Sequence, residues 1–137
     1  MDCRDPFTEI EELIISDLLK TFSETVIDHW QHPRNFHPMK DADRSVQFSS
    51  MCGDTIGLFI KLEDDRIARI SFVTDGCGTA VACASALTCL AQGLSIAEAA
   101  RLTGADVVAY LGGLPADKQE TANLVANALT RALETER

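Results

Sequence analysis

Residues 55–73, TIGLFIKLEDDRIARISFV, decide how this chain folds. Ile56, Leu58, Ile60 and Leu62 alternate with their neighbours, which is the period of a strand with one buried face, and Phe59 adds an apolar group on the other face. Glu63-Asp64-Asp65 supplies a turn, and Ile67 to Val73 makes a returning strand with Ile70 and Phe72 on one face. Just upstream, Ser45-Val46-Gln47-Phe48-Ser49 alternates as well. Three strands joined this tightly predict an antiparallel meander.

Downstream, from Thr79, the period becomes helical. Cys83, Ala86, Leu87, Leu90 and Ala91 share one face, with Ser85, Thr88 and Gln92 roughly opposite. Cys83 therefore belongs to the core, and Cys89 lies at the margin of the stripe. Six positions along a helix turn a side chain by about 240°, so these two thiols do not converge. Gly93 ends the helix, and Ser95 with Glu98 forms a capping box for a short helix ending near Leu102. Asp106 to Leu111 reads as one or two further helical turns. Gly112-Gly113-Leu114-Pro115 breaks the chain, and Asp117 caps a final helix with Leu124, Val125, Ala128, Leu129, Ala132 and Leu133 on its core face.

Before the strands, Thr8 and Glu11 form a capping box ahead of Ile10, Leu13, Ile14, Leu18 and Leu19 at helical spacing. Phe22, Val26, Ile27 and Trp30 continue that period, so a helix is expected over roughly 9–31, broken near Thr21 and stopped by Pro33. Residues 31–44 read as loop. The fold class is α+β, a small three-stranded antiparallel sheet with helices packed on one face. Residues 1–21 form an N-terminal helical extension, and residues 22–137 form the domain proper.

The net charge of −9, with no Lys/Arg cluster and few aromatics, argues against nucleic-acid binding, which rests on phosphate neutralisation. No apolar run approaches the ~18 residues of a membrane span, and the acidic N-terminus does not read as a signal peptide. Five cysteines, Cys3, Cys52, Cys77, Cys83 and Cys89, are an odd number at uneven spacing, which disfavours a disulfide framework and fits a reducing cytoplasm. Cys52-Gly53-Asp54 and Gly76-Cys77-Gly78-Thr79-Ala80 each set a cysteine beside glycine at a predicted strand edge. Gly76 and Gly78 let the backbone turn sharply there. Cys77 falls just ahead of a helix N-terminus, where the dipole favours thiolate, the form that binds metal or attacks sulfur. On this local pattern a small buried apolar residue is an equal reading. With Asp54 nearby, a thiol nucleophile in transferase or redox chemistry is a further one, although no motif supplies a histidine base or a phosphate loop.

Val26-Ile27-Asp28-His29-Trp30-Gln31-His32-Pro33-Arg34-Asn35, Cys52-Gly53-Asp54 and Gly76-Cys77-Gly78-Thr79-Ala80, in this order, resemble the three signatures of the IscU/NifU iron–sulfur cluster assembly scaffolds. The resemblance covers about residues 22–134. It implies a non-enzymatic scaffold or carrier that takes sulfur from a cysteine desulfurase, binds iron or a [2Fe-2S] cluster through Cys52, Asp54 and Cys77, and hands it to recipient apoproteins. Asp54 would moderate cluster stability and promote release. In that family a third cysteine follows a histidine at the start of the last helix, after a Leu-Pro-Pro-Val-Lys stretch that a chaperone recognises. Here Leu114-Pro115-Ala116-Asp117-Lys118-Gln119-Glu120-Thr121 places Glu120 at the histidine and Thr121 at the cysteine, and keeps the chaperone stretch only in part.

Three arrangements stay open. Two chains about a two-fold axis would offer Cys52 and Cys77 twice, the four thiolates of a cluster. One chain could bind a single iron or zinc through Cys52, Asp54, Cys77 and Glu120, although Asp117-x-x-Glu120 is also a capping-box spacing. Or the domain is an adaptor, metal-free or zinc-binding, that regulates a cysteine desulfurase or another assembly partner. His29 and His32 read as helix-end or surface residues, and His37 as solvated.

Overall fold

The computed structural model describes residues 22–49, 55–76 and 78–134. α1 (Glu24–Gln31) begins where Ser23 Oγ accepts the Val26 N–H at 3.1 Å, and Glu24 adds a favourable charge to the first turn. It ends at His32, ahead of Pro33. The part of the expected helix before Phe22, with its Thr8–Glu11 capping box, and Cys3 lie outside the described residues.

β1 (Arg44–Ser49), β2 (Thr55–Glu63) and β3 (Arg66–Thr74) form an antiparallel sheet in the order β1-β2-β3, as the alternation predicts. Asp64 and Asp65 both take positive φ (54° and 63°), as a two-residue hairpin turn requires. The register aligns Val46 with Leu58 and Leu58 with Phe72, and Ile60 with Ile70, so one face carries the core. Ile56, Leu58, Ile60, Ile67, Ile70 and Phe72 are all buried. The outer edge of β3 is closed by the loop after α1. The Phe72 N–H donates to Asn35 O at 2.9 Å, and the Phe36 ring stacks on Phe72 with centroids 4.8 Å apart. Asn35 reaches this position with φ 62°, a region asparagine tolerates better than most residues.

α2 (Gly78–Ala91) packs against α1 and β3. Cys83 lies in the core as expected, and Cys89 is half-buried. The two-faced reading of this helix fails, because Ser85 and Thr88 are as buried as the apolar stripe. α1 and residues 34–35 cover that side, and the many alanines of α2 let them approach closely. Gly93, at φ 90°, turns the chain out of the helix.

α3 (Ile96–Ala99) carries the predicted Ser95–Glu98 capping box but stops short of Leu102. α4 (Gly104–Tyr110) starts earlier than expected, because Thr103 and Asp106 form a second capping box. A 3₁₀ turn (Ala116–Lys118) then leads into α5 (Gln119–Glu134), whose stripe from Ala122 to Leu133 packs on β1, β2, α2 and α4. Asp117 does not cap α5. It sits inside the 3₁₀ turn, and just after it the Gln119 side-chain Nε2 donates to Leu114 O at 3.0 Å. No helix among the described residues is long and apolar enough to cross a membrane.

Candidate functional site

Cys52, Asp54 and Cys77 lie outside the described residues, but their chain neighbours do not. Thr55, which follows Asp54, and Thr74 to Gly76, which precede Cys77, meet at one end of the β2–β3 hairpin. The Thr55 N–H donates to Asp75 Oδ1 at 2.8 Å, and Thr74 Oγ1 donates to Thr55 O at 2.7 Å. The Gly76 N–H donates back to Thr74 Oγ1 at 3.0 Å. These bonds staple the approaches to the two cysteine motifs to each other, beyond the last strand pair, Ile56 with Thr74.

α2 opens at Gly78, the residue after Cys77. A Cβ on Gly78 would lie 2.6 Å from Trp30 Nε1, so the indole of α1 packs against this turn only because residue 78 has no side chain. Gly78 does not take positive φ, so what the structure asks of it is room for the indole and not the expected left-handed turn.

Glu120 is exposed on the first turn of α5, and no described residue bonds or pairs with it. The capping-box alternative for Glu120 is therefore not realised, and its carboxylate faces solvent at a helix N-terminus. Among the described residues no group of three or more His, Cys, Asp or Glu side chains is placed to hold a metal ion.

Sequence reasoning misses a buried polar seam between α1, residues 34–35 and α2. His29 is only 2% exposed, not a surface residue. Its Nδ1 lies 2.7 Å from Ser85 Oγ, which also accepts the Arg34 N–H at 2.9 Å. One turn along, Thr88 Oγ1 accepts from Asn35 Nδ2 at 3.0 Å and donates to Ser85 O at 2.7 Å. Tyr110 of α4 meets the His29 ring edge-on, with centroids 5.4 Å apart. Burial, then hydrogen bonding with the Cys89 thiol, raises Tyr110. The Arg34 guanidinium, 2.7 Å from Asp28, holds that carboxyl below the usual range. His32 and His37 are exposed, and His37 Nδ1 only meets Pro38 O. The legible signal was the run from Asp28 to Asn35 itself, since a buried histidine, a loop amide and a loop asparagine need polar partners on whatever helix covers them.

This seam makes stability depend on pH. Burial first, and the Arg34 charge second, lower His29 below its ordinary 6.5, against the opposing pull of Asp28. As pH falls, the unfolded chain takes up this proton before the folded one does. The neutral ring's contribution is therefore complete above 6.5 and is lost as pH drops through the lower folded-state value. Thermal unfolding followed from about pH 8 to about pH 5 should show Tm falling toward acid, and His29→Gln should flatten that fall. An equally steep profile in the variant would place the titration elsewhere.

Comparison with known proteins adds an independent finding. The family model described as NifU-like N terminal domain matches residues 21–135. The iron-sulfur cluster assembly scaffold protein IscU 1 of Archaeoglobus fulgidus is 42% identical over 113 residues, covering 82% of this chain and 74% of that protein. The iron-sulfur cluster assembly scaffold protein IscU of Aquifex aeolicus is 38% identical over 116 residues, with the same coverage of 82% and 74%. The crystal structure of the N-terminal part of a nitrogen-fixing NifU-like protein from Brucella abortus has the same fold. Its TM-score is 0.63 at 14% identity, over 81% of this chain and 90% of that one.

Proposed function

The chain belongs to the NifU-like N terminal domain family, and from that premise we propose that it is a scaffold or carrier in iron–sulfur cluster assembly. Its cargo is iron or a [2Fe-2S] cluster held by Cys52, Asp54 and Cys77. The observation that carries the reading is the stapled pair of approaches: Asp75 and Thr74 bind the backbone of Thr55, so Cys52-Gly53-Asp54 and Cys77 hang from neighbouring points. The donor types also fit. Thiolates are the usual cluster ligands, and a carboxylate is a harder and more exchangeable one. A position one residue ahead of α2 favours the thiolate of Cys77.

One chain offers two motif thiolates where a cluster uses four ligands, so the cluster sits between two copies related by a two-fold axis. Glu120 is the accessory ligand when a single ion is bound. Cargo of this kind requires a sulfur donor, a cysteine desulfurase, and recipient apoproteins. Residues 22–137 form the scaffold domain and residues 1–21 an extension to it, a division supported by the family match beginning at residue 21. Free thiolates suit a reducing compartment such as the cytoplasm.

Thr121, standing where the resemblance places a third cysteine, favours one alternative, an adaptor that holds zinc or no metal and regulates the desulfurase or another assembly partner. Metal and acid-labile sulfide analysis of protein isolated without oxygen separates the two. Iron and sulfide in equal amounts, with about one cluster per two chains, is the expected result. Zinc without sulfide, or desulfurase binding by metal-free protein that takes up no iron, establishes the adaptor instead.

A further inference from the structure

β3 ends at Thr74, but its bonding to β2 continues one residue further. The register sets Ile56 against Thr74 and Gly57 against Val73, so the next residue to face Thr55 is Asp75. The Asp75 N–H donates to Thr55 O at 3.4 Å, which marks this as a hydrogen-bonded position, where each N–H ordinarily donates to the other residue's carbonyl. The second bond is made differently. The Thr55 N–H donates at 2.8 Å to Asp75 Oδ1, a side-chain oxygen in the place of the Asp75 carbonyl. Aspartate is short enough to stand in for a main-chain acceptor in this way. The ladder therefore does not hold the main chain after Asp75, which enters α2 at Gly78, just past Cys77.

Thr55 is tied on its other side as well. It faces Ser49 across the β1–β2 pairing, with the two hydroxyls 3.3 Å apart. Residues 50–54 connect these two positions, so Thr55 is one fixed end of the segment that carries Cys52 and Asp54. Thr74 Oγ1 donates to Thr55 O but leaves the Thr55 N–H to Asp75. Resting on the scaffold reading above, we propose that Asp75 is a positioning residue for the cargo. Its carboxylate locks the strand end beside Asp54 to the strand end ahead of Cys77, and so sets how tightly the site holds a thiolate-bound metal ion. Side chains that orient ligands without touching the metal commonly carry ~10–100-fold of metal affinity. The role needs an acceptor at Oδ1 and neither the charge of Asp75 nor a bond from it to the metal. Asparagine offers the same acceptor atom, and alanine offers none.

Cobalt(II) added without oxygen to the reduced, metal-free full chain, and followed by thiolate-to-cobalt absorption, tests this. Asp75→Ala should weaken cobalt binding about tenfold or more while its thermal midpoint stays within about 5 °C, and Asp75→Asn should recover most of the loss. In the metal-free protein the Thr55 amide should exchange with solvent about tenfold faster in Asp75→Ala, and close to the wild-type rate in Asp75→Asn. Wild-type cobalt affinity in Asp75→Ala overturns the proposal, and so does a Thr55 amide that exchanges no faster in that variant. Asp75→Asn as weak as Asp75→Ala also overturns it, because the carboxylate then acts by its charge or as a ligand. Each of these leaves the scaffold reading standing. Wild-type protein with no thiolate-to-cobalt absorption sinks that reading and this role with it.

Discussion

Anaerobic reconstitution with iron and sulfide is expected to give visible charge-transfer absorption that disappears in Cys52→Ala and in Cys77→Ala and survives in Cys89→Ala. The three thiols differ in where the chain carries them. Cys89 is half-buried within α2, beside Tyr110, and shares no motif with the other two. Cys52 and Cys77 adjoin segments that hydrogen bonds tie together at one end of the hairpin. Full sets of Cys/His ligands hold structural zinc with an apparent ~10–16 kcal/mol, so a site with few ligands has little to spare. In a two-fold arrangement each substitution removes two of four thiolates at once, and the absorption should fall to less than about a tenth. On the proposed ligand set, Asp54→Ala should act in the opposite sense and lengthen the cluster's lifetime, because it removes the harder and more exchangeable ligand. A spectrum unaffected by Cys77→Ala sinks the ligand assignment. A colourless product with undiminished metal content turns it toward zinc or lone iron.

The parts of this fold that could be read from sequence are those set by a local rule. Alternation through Ile56–Leu62 and Ile67–Val73 places both strands because Ile56, Leu58, Ile60, Ile70 and Phe72 share the core face, and a period of two leaves little freedom in register. Ser95-x-x-Glu98 announced its capping box, and Thr103-x-x-Asp106 carried the same signal with aspartate in the place of glutamate. What escaped was tertiary. A helical wheel assigns Ser85 and Thr88 to a polar face, yet that face is covered by residues 34–35 and α1, which bring their own polar groups to it. His29 does stand in the last turn of its helix, but its burial escapes a sequence reading because nothing in that helix indicates that α4 packs Tyr110 over it. The candidate site was legible only as two motifs. The approach of Thr55 to Thr74 and Asp75 depends on the β2–β3 register, which neither motif encodes.

Gly104→Ala is expected to lower the stability of the chain by about 2 kcal/mol. Gly104 is the first residue of α4, is buried, and faces α5. A Cβ at this position would overlap the Asn123 side chain and lie 2.7 Å from Asn123 Cα. Asn123 is exposed, so its side chain can swing away; its Cα cannot move without shifting α5. Ordinary helix propensity favours alanine over glycine by up to about 1 kcal/mol. Overpacking that displaces backbone costs typically ~1–3 kcal/mol or more, so the clash wins. The consequence spreads, because α4 also carries Tyr110 against His29, and Leu111 just after it accepts the Ser23 hydroxyl that helps seat α1. A midpoint lower by about 6–10 °C is the expected thermal signature for a chain of this size. Adding Asn123→Ala should restore only part of the loss, since it removes the side-chain overlap and leaves the close approach to Cα. Complete rescue would show that the contact is with a movable side chain and that α4 and α5 have room to spare. An unshifted midpoint in Gly104→Ala alone would mean the two helices do not pack as closely as this.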